Sequence, residues 1–522
     1  MVGGFHKDAV QGHGTHTAGT AAGSTMTGGP YLVEECLGDD QVLGCAGGCM
    51  SSGDLSELSD NDVFDLASSC PAYDCDGGTD VSSCLGNDTV QTLIDNHGVA
   101  PGSQLAIFDV SYGGTNAGFD EAGNFLWTAS SKTGAKIHTN SWGYTTYCAV
   151  TEREILYDTF MYQNPEHLLI FAAGNIGGIE DGPYADLFDC TILSPALAKN
   201  ILAVGSTSAG ASRSPYTGAD GLARYESLGL SVYTSDGYPW ICLEPDLGLP
   251  SASKEPADID TVSFFSSHGP ASDGRIKPEI VAPGERVFSA SSDGTDSHTC
   301  KLMAGTGTSM AAPAVAGASA LVRQYFRDAS FYAHDVEARG LCAGESLNFA
   351  CSPFSPSAAT VKAMLLNSAN LMGGSTEPNK YRGFGRVHLE AGMPLNGDGD
   401  LVLFVTEKAI APNEEHTYTF DIDVGTDLDL RATLCWIDVP ATAFTTSQLL
   451  HDLDLSVSTP SGGIYTMWAS GMKDTVNVNE RVVVPASSLE SGMYTVSVSS
   501  GELLTYSQNY SLVVTGAVTI GK

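Results

Sequence analysis

Short apolar runs alternate with longer helical patterns between residues 100 and 330 of this 522-residue chain, and this alternation constrains the fold more than any other feature. Helical patterns lie at 120–131 and 151–162, after residue 309, and at 357–372. Strands that alternate with helices predict βαβ units and a parallel sheet flanked by helices on both faces. The apolar runs place the strands at 104–110, 136–140, 168–173, 201–205 and 280–282.

After about residue 397 the pattern changes to strands of period two, separated by turns such as the Pro-Ser-Gly-Gly at 460–463. Such strands favour an all-β sandwich of jelly-roll type. We therefore expect an α/β domain at 1–395 and an all-β domain at 396–522. The strands of the second domain are predicted at 401–406, 417–422, 430–437, 454–458 and 495–499.

Residues 30–88 interrupt the α/β pattern with six cysteines and many acidic side chains, which predicts a surface insertion held by disulfides whose pairing stays open. The chain has 13 cysteines and two glycosylation sequons, at Asn87 and Asn509. Both features are typical of an oxidising, secretory history, so we expect an extracellular or secretory-pathway protein. Cys435 lies in an apolar run at 432–436 and is expected to be a buried thiol.

Acidic residues outnumber basic ones by 61 to 24, which gives a net charge of -37. Such a surface repels nucleic acid and anionic membranes, so we expect neither as a partner. It can gather cations such as Ca²⁺, or it can suit a saline or acidic medium. We find no apolar run of about 18 residues, so the sequence predicts no membrane span. We expect a monomer.

Three short segments carry the chemistry, and the first surrounds Ser309. The sequence Gly-Thr-Ser-Met-Ala-Ala-Pro at 307–313 places Ser309 where a helical run begins. Free N–H groups at a helix N-terminus favour negative charge, which is what develops during acyl transfer. The alternative is that Ser309 only caps the helix.

The second and third segments contain a base and a hydrogen-bond donor. His13 opens a run of small residues at 13–20, and a histidine can take a serine proton because its pKa lies near neutrality. Asn175 ends the run Phe-Ala-Ala-Gly-Asn at 171–175, and its amide can donate to an oxyanion. Taken singly, His13 is an ordinary surface or metal-binding histidine and Asn175 is a turn residue.

Together these segments resemble the subtilase family of serine proteases in residues, order and placement. The likeness covers about residues 8–395, and it implies a subtilisin-like fold with a cis bond before Pro195. It also implies a serine endopeptidase that acts through an acyl-enzyme and needs no cofactor for catalysis. In that mechanism Ser309 attacks the peptide carbonyl, His13 shuttles the proton, and Asn175 with the Ser309 N–H forms the oxyanion hole. Further similar segments lie at 99–105, 138–143, 194–200, 265–270, 277–284 and 383–387.

The resemblance also implies how a polypeptide substrate binds. The substrate adds as an extended strand between two segments of the chain, with its primary side chain in a pocket of small residues. That pocket has room for a large apolar or aromatic side chain. His16, one helical turn beyond His13, is expected to be structural. The substrate segments are Ser141, Trp142 and Gly143 on one side and Ser111, Tyr112 and Gly113 on the other, and the pocket residues are Ala172, Ala173 and Gly174.

The C-terminal region resembles the β-sandwich that follows the catalytic domain in some subtilases. Similar residues bind Ca²⁺ there, and carboxylate and amide oxygens suit that ion. Turn and edge positions are the equal alternative for these side chains. The implied ligands of a structural Ca²⁺ are Asp452, Asp454, Asn477 and Glu480.

One expected element is missing near the start of the chain. Family members carry an aspartate at the end of a strand well before the histidine, whereas here 12 residues precede His13 and Asp8 follows no apolar strand. No signal peptide or propeptide is visible, so we expect an N-terminally truncated chain with impaired activity. The main alternative is a catalytically dead protein that binds peptides, and an adhesive surface protein is another. An α/β-hydrolase esterase lacks support because no Gly-x-Ser-x-Gly elbow occurs.

Overall fold

The described residues fall into two compact units. The first comprises Met1–Ala135 with Val287–Gly305, and the second comprises Lys136–Arg286 with Thr306–Lys522. The domain boundary at residue 395 stays a prediction. The computed structural model describes residues 13–22, 41–43, 49–51, 98–106, 126, 132–177, 190–208, 259–263, 265–285, 287–290, 302–338, 352–395, 400–423 and 425–520.

Five α-helices, three short 3-10 helices and seventeen strands lie in this part of the chain. The α-helices are α1 (His13–Ala22), α2 (Glu152–Gln163), α3 (Thr308–Arg327), α4 (Tyr332–Ala338) and α5 (Ala358–Ser368). The strands are β1 (Gln41–Leu43), β2 (Cys49–Ser51), β3 (Ile137–Asn140), β4 (Leu168–Ala172), β5 (Leu202–Thr207), β6 (Ile280–Pro283), β7 (Val287–Ala290), β8 (Leu302–Gly305), β9 (Val402–Ile410), β10 (Glu415–Ile422), β11 (Leu430–Trp436), β12 (Leu453–Ser458), β13 (Ile464–Tyr465), β14 (Asn479–Val484), β15 (Gly492–Ser500), β16 (Gln508–Gly516) and β17 (Val518–Ile520).

The first unit contains α1 and two antiparallel hairpins, β1–β2 and β7–β8. Helix α1 packs against β7, and Gly19 makes the close approach possible. A Cβ on Gly19 would lie 2.5 Å from the hydroxyl of Ser289, closer than packed atoms tolerate. The small residues of α1 therefore fix how near the helix lies to the strand.

The second unit is built on a parallel sheet with the order β3-β4-β5-β6. Every residue of β4 and β5 is buried, as expected for a sheet covered on both faces. Helix α3 packs against all four strands, and α2 contacts β4. Four of the predicted parallel strands are confirmed. Of the fifth, residues 104–106 lie outside any strand and 107–110 lie outside the described residues.

The predicted helix at 151–162 is confirmed as α2, and its start follows from the sequence. Thr151 and Glu154 form a capping box, in which the Thr151 backbone N donates to Glu154 Oε2 at 2.7 Å. The helix after Ser309 is confirmed as α3. The helix predicted at 357–372 is shorter than expected, because α5 ends at Ser368.

Two antiparallel sheets form the C-terminal region, with the orders β13-β12-β15-β10-β17 and β14-β11-β16-β9. All five strands predicted here are confirmed as β9, β10, β11, β12 and β15. Strand β10 alternates between exposed and buried positions along most of its length. That pattern indicates a sheet with one face in solvent and one face in the core.

Helix α5 joins the parallel sheet region to the antiparallel one. All its residues are buried, and it contacts α3 as well as β11 and β16. Asn367 on α5 donates to Thr433 Oγ1 at 3.2 Å and accepts from Thr515 Oγ1 at 2.7 Å. Arg481 of β14 donates to the carbonyl of Leu366 at 2.8 Å. The helix is thus held by polar bonds within an otherwise apolar layer.

A buried ion pair joins the same two regions. Lys199 Nζ lies 2.6 Å from Asp438 Oδ2, and neither side chain is exposed. Lys199 also donates to the carbonyls of Val439 and Gln448 at 2.6 Å each. The Asp438 carboxylate accepts three further backbone N–H groups, and so both charges are fully bonded.

Three cysteines of the second unit have a defined state. Cys148 and Cys190 form a disulfide, and Cys435 is a buried free thiol, as predicted. Burial raises the pKa of the Cys435 thiol, which keeps it protonated and unreactive. Within the described ranges, no helix is both long and apolar enough to cross a bilayer.

Candidate active site

Ser309 is the second residue of α3 and is half-buried at the helix N-terminus. Gly307 precedes the helix with φ of 151° and offers no side chain to cap the free N–H groups. The cap comes instead from Asn175, whose Oδ1 accepts from the Thr308 backbone N at 2.8 Å and from the Thr308 hydroxyl at 2.9 Å. A Cβ on Gly307 would lie 3.2 Å from Asn175 Nδ2, so glycine leaves room for this amide.

Pro313 lies inside α3 and explains how Ser309 is tied to a neighbouring segment. A proline cannot donate the hydrogen bond that would reach the carbonyl four residues earlier, which is that of Ser309. This carbonyl accepts from Ser141 Oγ at 2.8 Å instead. Pro313 was not among the predicted site residues, although its spacing from Ser309 is a signal that the sequence contains.

The orientation of Asn175 determines what it can do chemically. Its carboxamide oxygen faces Thr308, and the buried Thr308 hydroxyl accepts in turn from the Gly174 backbone N at 3.2 Å. The amide nitrogen is therefore not used in the contacts with Thr308, and the Asn175 side chain is exposed. An exposed amide beside a helix N-terminus supplies the donors that an oxyanion needs.

The predicted substrate segment at 141–143 directly follows β3. The Trp142 ring packs edge-on against Phe171 with centroids 5.4 Å apart, and its Nε1 donates to Asn140 Oδ1 at 3.2 Å. The indole can only donate, so the Asn140 amide nitrogen must face His138 Nδ1, 2.9 Å away. His138 is then an acceptor at Nδ1. Burial, followed by the nearby His167, lowers the pKa of His138 to about 4.

The predicted pocket residues Ala172, Ala173 and Gly174 continue from β4 toward Asn175, and all three are buried. Gly174 has φ of 117°, and a Cβ there would lie 2.6 Å from Leu193 Cγ and 2.7 Å from Ser267 Oγ. Both the backbone conformation and the lack of space require glycine. Leu193 was not predicted as a site residue.

His13 and His16 lie on α1 in the first compact unit, whereas Ser309 lies in the second. His13 is the first residue of the helix and is exposed. His16 is buried, and its Nε2 lies 2.9 Å from the carbonyl of Val287. The bond and the burial support the structural role predicted for His16.

The structure therefore brings together three of the predicted residues, Ser141, Asn175 and Ser309, through hydrogen bonds around the start of α3. The second substrate segment, at 111–113, lies outside the described residues, as do Asp8 and most of the cysteine-rich stretch at 30–88. The bond before Pro195 is cis, as predicted.

Three of the predicted calcium ligands lie near one another on β12 and β14. Asp452 directly precedes β12, Asp454 lies within it, and Glu480 is buried in β14. The ammonium of Lys473 lies 2.6 Å from Asp454 Oδ2. Burial, and then the neighbouring charges of Asp454 and Asp474, raise the pKa of Asp452 to about 6.

The fourth predicted ligand, Asn477, is engaged elsewhere. Its Oδ1 accepts from the backbone N of Ile276 at 2.8 Å, and its Nδ2 donates to Asp474 Oδ2 at 2.9 Å. Asn477 therefore connects the sandwich to the segment before β6. Across the described stretches, no group of three or more His, Cys, Asp or Glu side chains is arranged to hold a metal ion.

Known proteins match this chain over much of its length. The Subtilase family profile matches residues 65–385. The protein tagA of Dictyostelium discoideum, named a serine protease/ABC transporter B family protein, is 26% identical over 563 residues, which cover 93% of this chain and 31% of tagA. The subtilisin-like protease SBT3.6 of Arabidopsis thaliana is 38% identical over 103 residues, covering 19% of this chain and 12% of that protein.

Solved structures also align with the chain. The self-cleaved protease domain of PatA aligns with a TM-score of 0.32 and 20% identity, and the alignment covers 62% of this chain and 84% of that domain. The chain itself spans about a third of the length of tagA. The family profile covers more than half of the chain and includes Asn175 and Ser309. The chain belongs to the Subtilase family of serine peptidases.

Proposed function

We propose that this protein is a serine endopeptidase that cleaves peptide bonds through an acyl-enzyme, with Ser309 as nucleophile and His13 as general base. One observation carries the proposal. Ser309 lies at the N-terminus of a buried helix that Asn175 caps, and its carbonyl is bonded to the segment that would hold the substrate. A nucleophile, an oxyanion donor and a substrate strand are then contiguous, which acyl transfer requires.

The test is covalent labelling of the native protein with a fluorophosphonate, followed by identification of the labelled peptide. We expect label on Ser309 and none in a Ser309→Ala variant. Ser330→Ala removes an exposed serine beyond the end of α3 and should label like the native protein. A native protein that binds peptides but takes no label is a peptide-binding protein. Turnover of short esters without peptides would indicate an esterase.

The role of Asn175 is testable by separating turnover from folding. If its amide stabilises the oxyanion, Asn175→Ala should lower kcat by about 10²–10³ with little change in KM. If Asn175 only caps α3, the same variant should lose about 1 kcal/mol of stability and keep most of its turnover. Steady-state kinetics and a thermal melt on the same sample distinguish the two outcomes.

We also propose that the protein is secreted and that its C-terminal region binds a structural Ca²⁺. The Cys148–Cys190 disulfide supports an oxidising compartment. The carboxylates of Asp452, Asp454 and Glu480 do not form a metal-holding group as they stand. The proposal is supported by Asp452 Oδ1, Asp454 Oδ1 and Glu480 Oε1, buried oxygens that make no hydrogen bond within the described part of the chain. Lys473 is the competing cation at this cluster.

Calcium binding is tested by melting the protein with Ca²⁺ and with chelator. Ca²⁺ at about 100 times its Kd should stabilise the fold by about 2.7 kcal/mol. Asp452→Asn should remove this response, whereas Asp421→Asn, an exposed change on β10, should keep it. Equal melting temperatures with and without Ca²⁺ would mean that Lys473 alone balances the cluster.

A further inference from the structure

The side chain of Leu193 lies between two glycines that belong to different walls of the predicted substrate cleft. A Cβ placed on Gly143 would lie 2.8 Å from Leu193 Cβ and 3.3 Å from its Cδ1. A Cβ placed on Gly174 would lie 2.6 Å from Leu193 Cγ and 3.0 Å from its Cδ1. The leucine therefore contacts the backbone of both glycines and fills the space between the substrate segment and the pocket segment.

The backbone around Leu193 is fixed to both of these segments. Its N–H donates to the carbonyl of Ala173 at 2.9 Å. The next residue, Ser194, exchanges two backbone hydrogen bonds of 2.8 Å with Tyr144. The disulfide between Cys148 and Cys190 covalently joins the residues that follow Tyr144 to those that precede Leu193. Only a change of side-chain rotamer can move the leucine away from the glycines.

Leu193 also remains reachable from the cleft. Its side chain is half-buried, whereas Ile192 and Ser194 on either side are fully buried. A residue held in this way, with a partly exposed aliphatic side chain, forms a wall against which a ligand side chain packs. The small residues at 172–174 leave space beside their backbone, and Leu193 occupies the part of that space next to Gly174.

We propose that Leu193 limits the primary pocket to small side chains, so that the protein cleaves after residues such as Ala and Ser in preference to Phe, Tyr or Leu. This inference rests on the proposed function, because it takes 141–143 as the substrate strand. It reverses the expectation that small pocket residues admit a large apolar or aromatic side chain. The physical reason is volume, since a filled pocket cannot accept a ring without displacing a packed leucine.

The test uses three peptides that differ only in the residue before the scissile bond, which is Ala, Leu or Phe. We expect the native protein to prefer Ala over Phe by at least about 10-fold in kcat/KM. Leu193→Ala should raise kcat/KM for the Phe peptide by about 10-fold or more and change the Ala peptide little. Leu193→Met conserves volume and should keep the native preference. A native preference for Phe, or a ratio unchanged in Leu193→Ala, would overturn the inference.

A binding experiment separates this inference from the assignment of the nucleophile. In a Ser309→Ala background the affinities of the same three peptides do not depend on turnover. We expect the Ala peptide to bind more tightly than the Phe peptide, and the added change Leu193→Ala to reverse that order. If peptide affinity depends on residue size but the native protein turns over no peptide, Leu193 limits the pocket as proposed and the endopeptidase proposal is wrong. If the three peptides bind with equal affinity, Leu193 does not limit the pocket, and the endopeptidase proposal is unaffected.

Discussion

The parallel sheet and the antiparallel sheet that contains β10 differ in how many of their faces are buried, whereas the other antiparallel sheet is buried almost throughout at β11 and β14. Strands β4 and β5 are buried at every position, whereas β10 exposes every second residue along most of its length. A strand buried on both faces has no place for a polar side chain except at its ends. The polar residues of the candidate site accordingly follow β3 and β4 directly, at the carboxyl edge of the parallel sheet.

Buried charges also differ between the junction of the two regions and the sandwich. Lys199 and Asp438, where the two regions meet, satisfy each other and the surrounding backbone. In the sandwich, Asp452, Asp454 and Glu480 each keep one buried oxygen without a hydrogen bond in the described residues. The charges at the junction are therefore fully paired, whereas the acidic cluster retains buried oxygens without a hydrogen bond in the described residues.

The largest expected effect comes from breaking the junction. Asp438→Ala leaves the Lys199 ammonium buried without a counter-charge, and such losses cost about 3–5 kcal/mol. Asp421→Ala removes an exposed carboxylate from β10 and should change the free energy of unfolding by less than about 0.5 kcal/mol. Urea denaturation followed by fluorescence measures both.

The shape of the Asp438→Ala transition carries further information. If the parallel and antiparallel regions unfold together, the variant should show one transition at lower urea with an unchanged slope. Two separated transitions would mean that the regions are independent, and the shared core around α5 would then contribute less than its burial indicates.

A smaller effect tests the two burial patterns by substituting neighbouring residues. Leu169 and Ile170 are adjacent on β4 and both are buried. Leu169→Ala and Ile170→Ala should therefore each lower the free energy of unfolding by about 2–5 kcal/mol. On β10, Phe420→Ala should cost a similar amount, but its neighbour Thr419→Ala should cost less than about 0.5 kcal/mol. If either β4 variant unfolded with nearly the native free energy, β4 would not be buried on both faces.

These contrasts also show how far the sequence alone could lead. Apolar runs located β3 to β6, because burial on both faces favours consecutive apolar residues. Alternating runs located β10 and β12, because these strands bury alternate residues more deeply. The positions of Ser309 at a helix start and of Asn175 after a strand were predictable from local patterns, whereas the roles predicted for them came from the family resemblance. The role of Leu193 was not predictable, because it lies outside any strand and depends on contacts with glycines from two segments distant in sequence. The partner of Lys199 lies 239 residues away in sequence, and no local pattern indicates it.

The smallest expected effect is the pH dependence of stability that comes from His138, on the strand that leads into the substrate segment. The pKa of His138 is lowered to about 4, while an unfolded chain holds histidine near 6.5. As pH falls below about 6.5 the unfolded state takes up a proton first, so His138 contributes stability above that pH and loses it progressively toward pH 4. His138 as a whole residue is partly exposed, so the loss should lie at the low end for a shift of this kind.

The measurement is the free energy of unfolding of the native protein and of His138→Asn between pH 4 and 7. We expect the difference between the two to change with pH in this window and to become constant above it, because Asn cannot titrate. Protonation at Nδ1 would also turn an acceptor into a donor facing the Asn140 amide, and thus loosen Trp142. The native protein should therefore show a rise in KM on acidification that His138→Asn lacks. Parallel stability curves and equal KM profiles would mean that His138 does not couple the sheet to the substrate segment.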